Sequence, residues 1–143
     1  MKRILGVDYG RARVGIAVSD ELGMLAHPLE TAPARDAAKR IAAIAAERSI
    51  DDIVVGIPRN MSGTSGPAEE EAKAFCAGLR KISGRNVIEW DERLSTVAAQ
   101  RALHESGRNA KNSRPIIDQV AAQMILQAYL DHLEQKRNAA QGL

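Results

Sequence analysis

The sequence predicts an α/β fold, a mixed five-stranded sheet of three antiparallel meander strands followed by parallel strands, flanked by helices on both faces. Three observations predict it. Apolar runs at the start of the chain are separated by turns too short to hold a helix, so these strands pair as a meander. Helix-period segments then alternate with short apolar strands, which places helices against a sheet. The strand-to-helix crossovers are short, which makes the later strands parallel to the first.

"KRILGVDYG" and "ARVGIAVSD" are apolar runs joined by a short polar turn, an antiparallel hairpin. After the turn "DELG" comes "MLAHPLETA", where Pro28 suits an edge strand because it cannot donate to a ladder on both sides. "RDAAKRIAAIAAERS" is helical: Ala37, Ile41, Ile44 and Ala45 fall on one face, with Arg and Lys opposite. "IDDIVVGIP" is a buried strand, and the loop "RNMSGTSG" comes after it. Pro67 opens a helix whose first turn carries Glu69 to Glu71, and the helix stops at Ser83-Gly84. "NVIEW" is the last strand, and Ser95 or Thr96 caps a helix over "VAAQRALHES". A polar stretch, "GRNAKNSR", precedes a final helix expected from near Pro115, carrying "IIDQVAAQMILQAYLDHLEQ". One domain is expected over residues 1–138, with a frayed tail over 139–143.

Length and composition bound the function. At 143 residues and 45% hydrophobic, the chain supports a real core, and with 3% aromatics that core is aliphatic. A formal charge of +2 permits a polyanionic partner without demanding one. Cys76 is the only cysteine, so no intrachain disulfide forms, and its apolar context makes it a small buried hydrophobe. No apolar run approaches the roughly 18 residues of a membrane span, so no membrane partner and a cytoplasmic location are expected.

The first strand drives from Ile4-Leu5-Gly6-Val7 into a carboxylate, Asp8. Ligands of open parallel sheets gather beyond the carboxyl ends of the strands, and Asp8 stands at such an end. "WDER" puts Asp91 and Glu92 at the end of the last strand, where alternation says only that the two do not share a face. Asp118 falls in the first turn or so of the final helix, beside Ile116, Ile117 and Val120. Alone it reads as a favourable dipole contact. Acids brought together repel unless a cation neutralises them, and oxygen ligands without His or Cys select Mg²⁺ or Mn²⁺. His27, His104 and His132 have no zinc-like spacing and read as surface or partly packed residues.

"VDYGRARVGIAVSD", "VVGIPRNMSGTSGP", "DERLST" and "IIDQVAAQMILQAYL" resemble, in order and over nearly the whole chain, the successive motifs of the YqgF/RuvX family. The resemblance implies a ribonuclease H-like fold and a nuclease. The family was first described as Holliday junction resolvases and later as nucleases that process the 5′ end of the small-subunit (16S) ribosomal RNA precursor. It implies Asp8, Glu92 and Asp118 as catalytic and metal-binding acids, with two Mg²⁺ or Mn²⁺ ions. Its implied partners are precursor rRNA or branched DNA, and ribosomal particles. A monomer or weak homodimer is expected.

Around the acids, Gly6 and Gly10 are expected to leave room for metal and substrate to approach the backbone at Asp8. Arg11 and Arg13 could hold phosphate oxygens or be solvated turn charges. Arg59, Asn60 and Ser62 lie in a loop rich in N–H groups and hydroxyls before a helix N-terminus, suited to phosphate, and Arg93 comes directly after the acids. Arg108, Lys111 and Arg114 form a basic stretch that would steer a polyanion. Trp90 reads as packing or as a platform for a nucleotide base. Three rivals remain: a resolvase acting on four-way DNA, a non-catalytic nucleic-acid-binding module, and an actin- or sugar-kinase-like phosphotransferase. The last needs a second similar domain that this length does not hold. Non-catalytic relatives usually lose one acid, and all three are present.

Overall fold

The computed structural model describes residues 2–60, 62, 64–97 and 110–142. Strands β1 (Ile4–Tyr9) and β2 (Arg13–Ser19) pair antiparallel, with Leu5 opposite Val18 and Asp8 opposite Gly15. β3 (Ala26–Pro33) pairs antiparallel with β2, and a register shift at Ile16/Ala17 marks a bulge. After helix α1 (Ala34–Arg48), β4 (Asp52–Ile57) joins β1 in parallel. After helix α2 (Pro67–Ser83), β5 (Asn86–Asp91) joins β4 in parallel. The sheet order is β3-β2-β1-β4-β5, so β3 and its prolines stand at an edge, where a missing N–H is tolerated.

One face of the sheet packs against α1 and α2. Leu5, Val7, Val14, Ile16, Ile53 and Val55 alternate onto that side and bury against Ile41, Ile44, Cys76 and Leu79. α1 ends in the left-handed Ser49 and α2 in Gly84 at φ 66°, a conformation glycine adopts without steric cost. Cys76 is fully buried, and burial pushes its thiol up to about 11.

The other face packs against the last helix, α3 (Ala110–Ala140), through Ile4, Ala17 and Val54 on the sheet and Ala121, Ala122, Ile125, Leu126 and Leu130 on the helix. α3 comes close because the sheet is glycine-lined beneath it. A Cβ at Gly6 would stand 2.6 Å from the Leu126 Cβ, one at Gly56 2.5 Å from the Ile125 methyl, and one at Gly15 inside the Asp118 carbonyl. Gly6 therefore makes room for a helix, not for metal or substrate. Gly10 closes the β1–β2 turn, where a Cβ would meet the Arg13 carbonyl at 2.6 Å.

α3 departs from the sequence reading at both ends. It begins at Ala110, so part of the expected polar stretch is helical and Pro115 is inside the helix. A proline there forfeits one hydrogen bond to the preceding turn but keeps a helical φ. Its carbonyl accepts from the Thr31 hydroxyl at 2.6 Å, which ties the helix to β3. At the other end α3 continues to Ala140, into the expected tail. The helix expected over "VAAQRALHES" lies outside the described residues apart from Val97, which is buried. No helix among the described residues is long and apolar enough to cross a membrane.

Candidate active site

The carboxyl ends of β1, β4 and β5 point the same way, so the segments leaving these strands gather at one edge. After β1 comes the turn bearing Arg11, after β4 the Arg59–Gly66 loop, and after β5 a 3₁₀ turn over Glu92–Leu94. Alternation settles the facing: Leu5 and Val7 belong to the α1/α2 core and Ile4 to the α3 core, so Asp8 lies on the α3 side. Across the ladder Asp8 forms one row with Gly15, Gly56 and Trp90. Asp8 and Glu92 are both buried, at 5% and 7% exposure, and charged residues this buried need partners.

Asp118 reaches this row from α3, where its backbone carbonyl lies against Gly15, the cross-strand partner of Asp8. It is the ninth residue of the helix, so the first-turn dipole reading does not apply. Its carboxylate accepts from the Arg13 guanidinium at 2.8 Å, with both side chains half-buried. Arg13 is thus a partner of an acid and not a solvated turn charge. The three acids come from three elements at one edge, yet among the described residues no three His, Cys, Asp or Glu side chains are gathered as a metal site. Carboxylates drawn together need countercharge, and Arg13 supplies it to Asp118. In donor type the set fits a hard divalent cation, being all carboxylate oxygen.

Asp91 and Glu92, alike in sequence, part company here. Asp91 alternates away from Trp90 and accepts from Arg93 through its backbone N–H, Nε and Nη2, at 2.9, 3.1 and 2.8 Å. Arg59 Nε stands 4.0 Å from the same carboxylate. The hydrogen bonds from Arg93 hold the Asp91 carboxyl below its usual range. Arg93 also reaches the Asn60 carbonyl at 3.4 Å, so Asp91 joins the 3₁₀ turn to the loop after β4. Within that loop Asn60 donates to Thr64 Oγ1 at 3.2 Å, and Ser62 and Thr64 share a 2.9 Å hydrogen bond. Gly66 caps α2 without a side-chain hydrogen bond.

Arg11 is not grouped with these. Its guanidinium makes a two-pronged pair with Glu71 at 2.8 and 2.9 Å, on the exposed rim of α2. Arg114 is exposed on α3, while Arg108 and the Lys111 side chain lie outside the described residues. The sequence reading did not pair Glu71 with Arg11 or find the anchoring role of Asp91. It also missed Gln123 and Gln127, one helical turn apart: Gln123 donates to the Ala26 carbonyl at 3.0 Å, and Gln127 accepts from Ala26 N–H at 2.9 Å. Their spacing on the inward face of an apolar helix was the available signal.

Sheet order, parallel strands and the helix laid across the glycine face define the ribonuclease H-like fold. RuvC from Thermus thermophilus superposes with a TM-score of 0.51 at 15% identity, covering 98% of this chain and 96% of that one. T. thermophilus RuvC in complex with a Holliday junction substrate gives a TM-score of 0.50 at 16% identity, covering 91% and 94%. The chain belongs to the RuvX family, described as Holliday junction resolvase, which it matches over residues 2–132. A Geobacillus kaustophilus protein is 47% identical over 134 residues, covering 90% of this chain and 97% of that protein. One from Ruminiclostridium cellulolyticum is 43% identical over 135 residues, covering 92% and 95%. Both carry the name "Putative pre-16S rRNA nuclease". The family is one of nucleases.

Proposed function

We propose that this chain is an Mg²⁺- or Mn²⁺-dependent endonuclease that processes the 5′ end of the small-subunit ribosomal RNA precursor, with Asp8, Glu92 and Asp118 as its acids. The observation that carries the reading is the pair of buried carboxylates, Asp8 and Glu92, at the carboxyl edge of parallel strands, with Asp118 brought to the same edge by α3. The names of the relatives support RNA as the substrate.

Asp8, Glu92 and Asp118 would hold the divalent ions. The chemistry supplied there would be activation of a water and stabilisation of charge on the phosphodiester. Arg13 engages one oxygen of the Asp118 carboxylate, which leaves the other for a cation and sets the guanidinium beside the acids to meet a phosphate oxygen. Arg59 and Arg93, paired with Asp91, orient the backbone beside Glu92, and Asn60 and Ser62 add polar contacts. Arg11, Arg108, Lys111 and Arg114 serve approach and affinity.

A second reading, cleavage of four-way DNA, is favoured by the family description and by the fold shared with RuvC. Both readings use the same acids on a phosphodiester. The deciding experiment sets precursor rRNA against a four-way DNA junction, each with Mg²⁺ and with Mn²⁺, beside Asp8→Asn. Cleavage of the precursor at its 5′ boundary is expected. Cleavage of the junction alone supports the second reading, and activity persisting in EDTA overturns the metal dependence.

A further inference from the structure

Beside the 3₁₀ turn that carries Glu92, a groove of about 590 Å³ opens between the end of β5 and α3. Trp90 and His132 form its aromatic wall, and Arg93, Thr96, Asp131 and Gln135 give it polar edges. The indole of Trp90 meets Tyr129 edge-to-face at 5.4 Å and the His132 ring at 5.3 Å. Trp90 Nε1 is buried and has no hydrogen-bond partner among the described residues.

We propose that this groove is a nucleobase subsite, which takes one unstacked base of a single-stranded RNA segment while Arg93 holds the adjoining phosphate. The proposal rests on the nuclease reading and specifies how that site grips its substrate. Volume, composition and place all bear on it. Small-molecule sites commonly span about 300–1,000 Å³, enough for a base and sugar. Aromatic faces stack any base, which gives grip without demanding sequence. Arg93 spends its Nε and one Nη2 donor on Asp91 and one Nη1 donor on the Asn60 carbonyl, so two of its five N–H groups remain to meet a phosphate. Arg93 follows Glu92 in the chain and lines the groove, so the groove lies beside the 3₁₀ turn that carries the acid. A base inside a duplex is held in its stack and does not enter such a recess, whereas a splayed base does.

The chain carries one tryptophan, so its emission reports on this groove alone. Full-length protein is titrated in EDTA, without cleavage, with a dye-labelled single-stranded oligoribonucleotide, an abasic oligomer of equal length and a blunt RNA duplex. Dye anisotropy and tryptophan emission are followed together. The expected result is a saturable change in Trp90 emission with the single strand, about tenfold weaker binding of the abasic oligomer, and a similar loss in His132→Ala checked for folding by circular dichroism. Anisotropy that rises while emission stays unchanged overturns the subsite and leaves the nuclease reading standing. Equal binding of the abasic and base-bearing oligomers also overturns it. An anisotropy that never rises removes the nucleic-acid reading and the subsite with it.

Discussion

Against α1 and α2 the sheet turns Leu5, Val7, Val14, Ile16, Ile53 and Val55, whereas against α3 it turns Ile4, Gly6, Asp8, Gly15, Ala17, Val54 and Gly56. The first set is large, branched and buried, the composition that removes most apolar area from water per residue. The second set gives up that area. Its glycines let a helix backbone lie almost on the strands, and this brings Asp118 to the row that holds Asp8. A sheet can stabilise with one face and position with the other, because period-two alternation lets the two be composed independently.

Substitutions on each face can break that division. The largest effect is expected at Asp8: Asp8→Asn should lower cleavage roughly a thousandfold, about 4 kcal/mol of barrier. A variant that cleaves at the wild-type rate removes Asp8 from the chemistry and makes the α3 face an ordinary core. Next, Ile41→Ala on the opposite face should cost about 3 kcal/mol in urea unfolding and leave cleavage per folded molecule unchanged. If activity falls with stability restored at low temperature, the faces are coupled.

Gly15→Ala tests the seam between them. Its methyl meets the Asp118 carbonyl, so the helix must lift, and the variant should lose about 1–3 kcal/mol of stability and most of its activity together. Full activity would mean that close approach of α3 is packing alone. The smallest effect belongs to Asp91→Asn. It frees Arg93 and Arg59, so KM should rise several-fold with kcat nearly unchanged, while stability shifts by less than about 1 kcal/mol. Because Arg93 lowers the Asp91 carboxyl, the pair's stabilisation is complete above the ordinary aspartate value of about 4. It drains as pH falls through the lowered folded value. Urea titrations of wild type and variant should therefore converge in acid, and a gap that widens there refutes the pairing.

Much of the fold was legible in the chain. Apolar runs placed all five strands, and Pro67 and Gly84 marked the ends of α2 where they stand. Asp8 was legible as a charge closing a buried strand. The features that were not legible depend on distant packing. What engages Asp91 turns on the reach of Arg93 and Arg59, side chains whose direction periodicity does not give. Gly6 read as access because Asp8 is close by in sequence, yet its neighbour in space is Leu126. Pro115 read as a helix start because proline suits a first position, and the bond it forfeits further in is offset by anchorage from Thr31.

The hydrogen bonds that seat α3 join residues far apart in the chain: Arg13 to Asp118 across 105 positions, and Ala26 to Gln127 across 101. Closing loops of that size is entropically costly, so such contacts form late in folding. The hairpins of β1 to β3 need only their neighbours, but Asp118 arrives with a helix synthesised after all five strands. A nascent chain still threading the ribosome exit tunnel therefore carries Asp8 and Glu92 without Asp118, and the edge is completed only once the helix has emerged and docked.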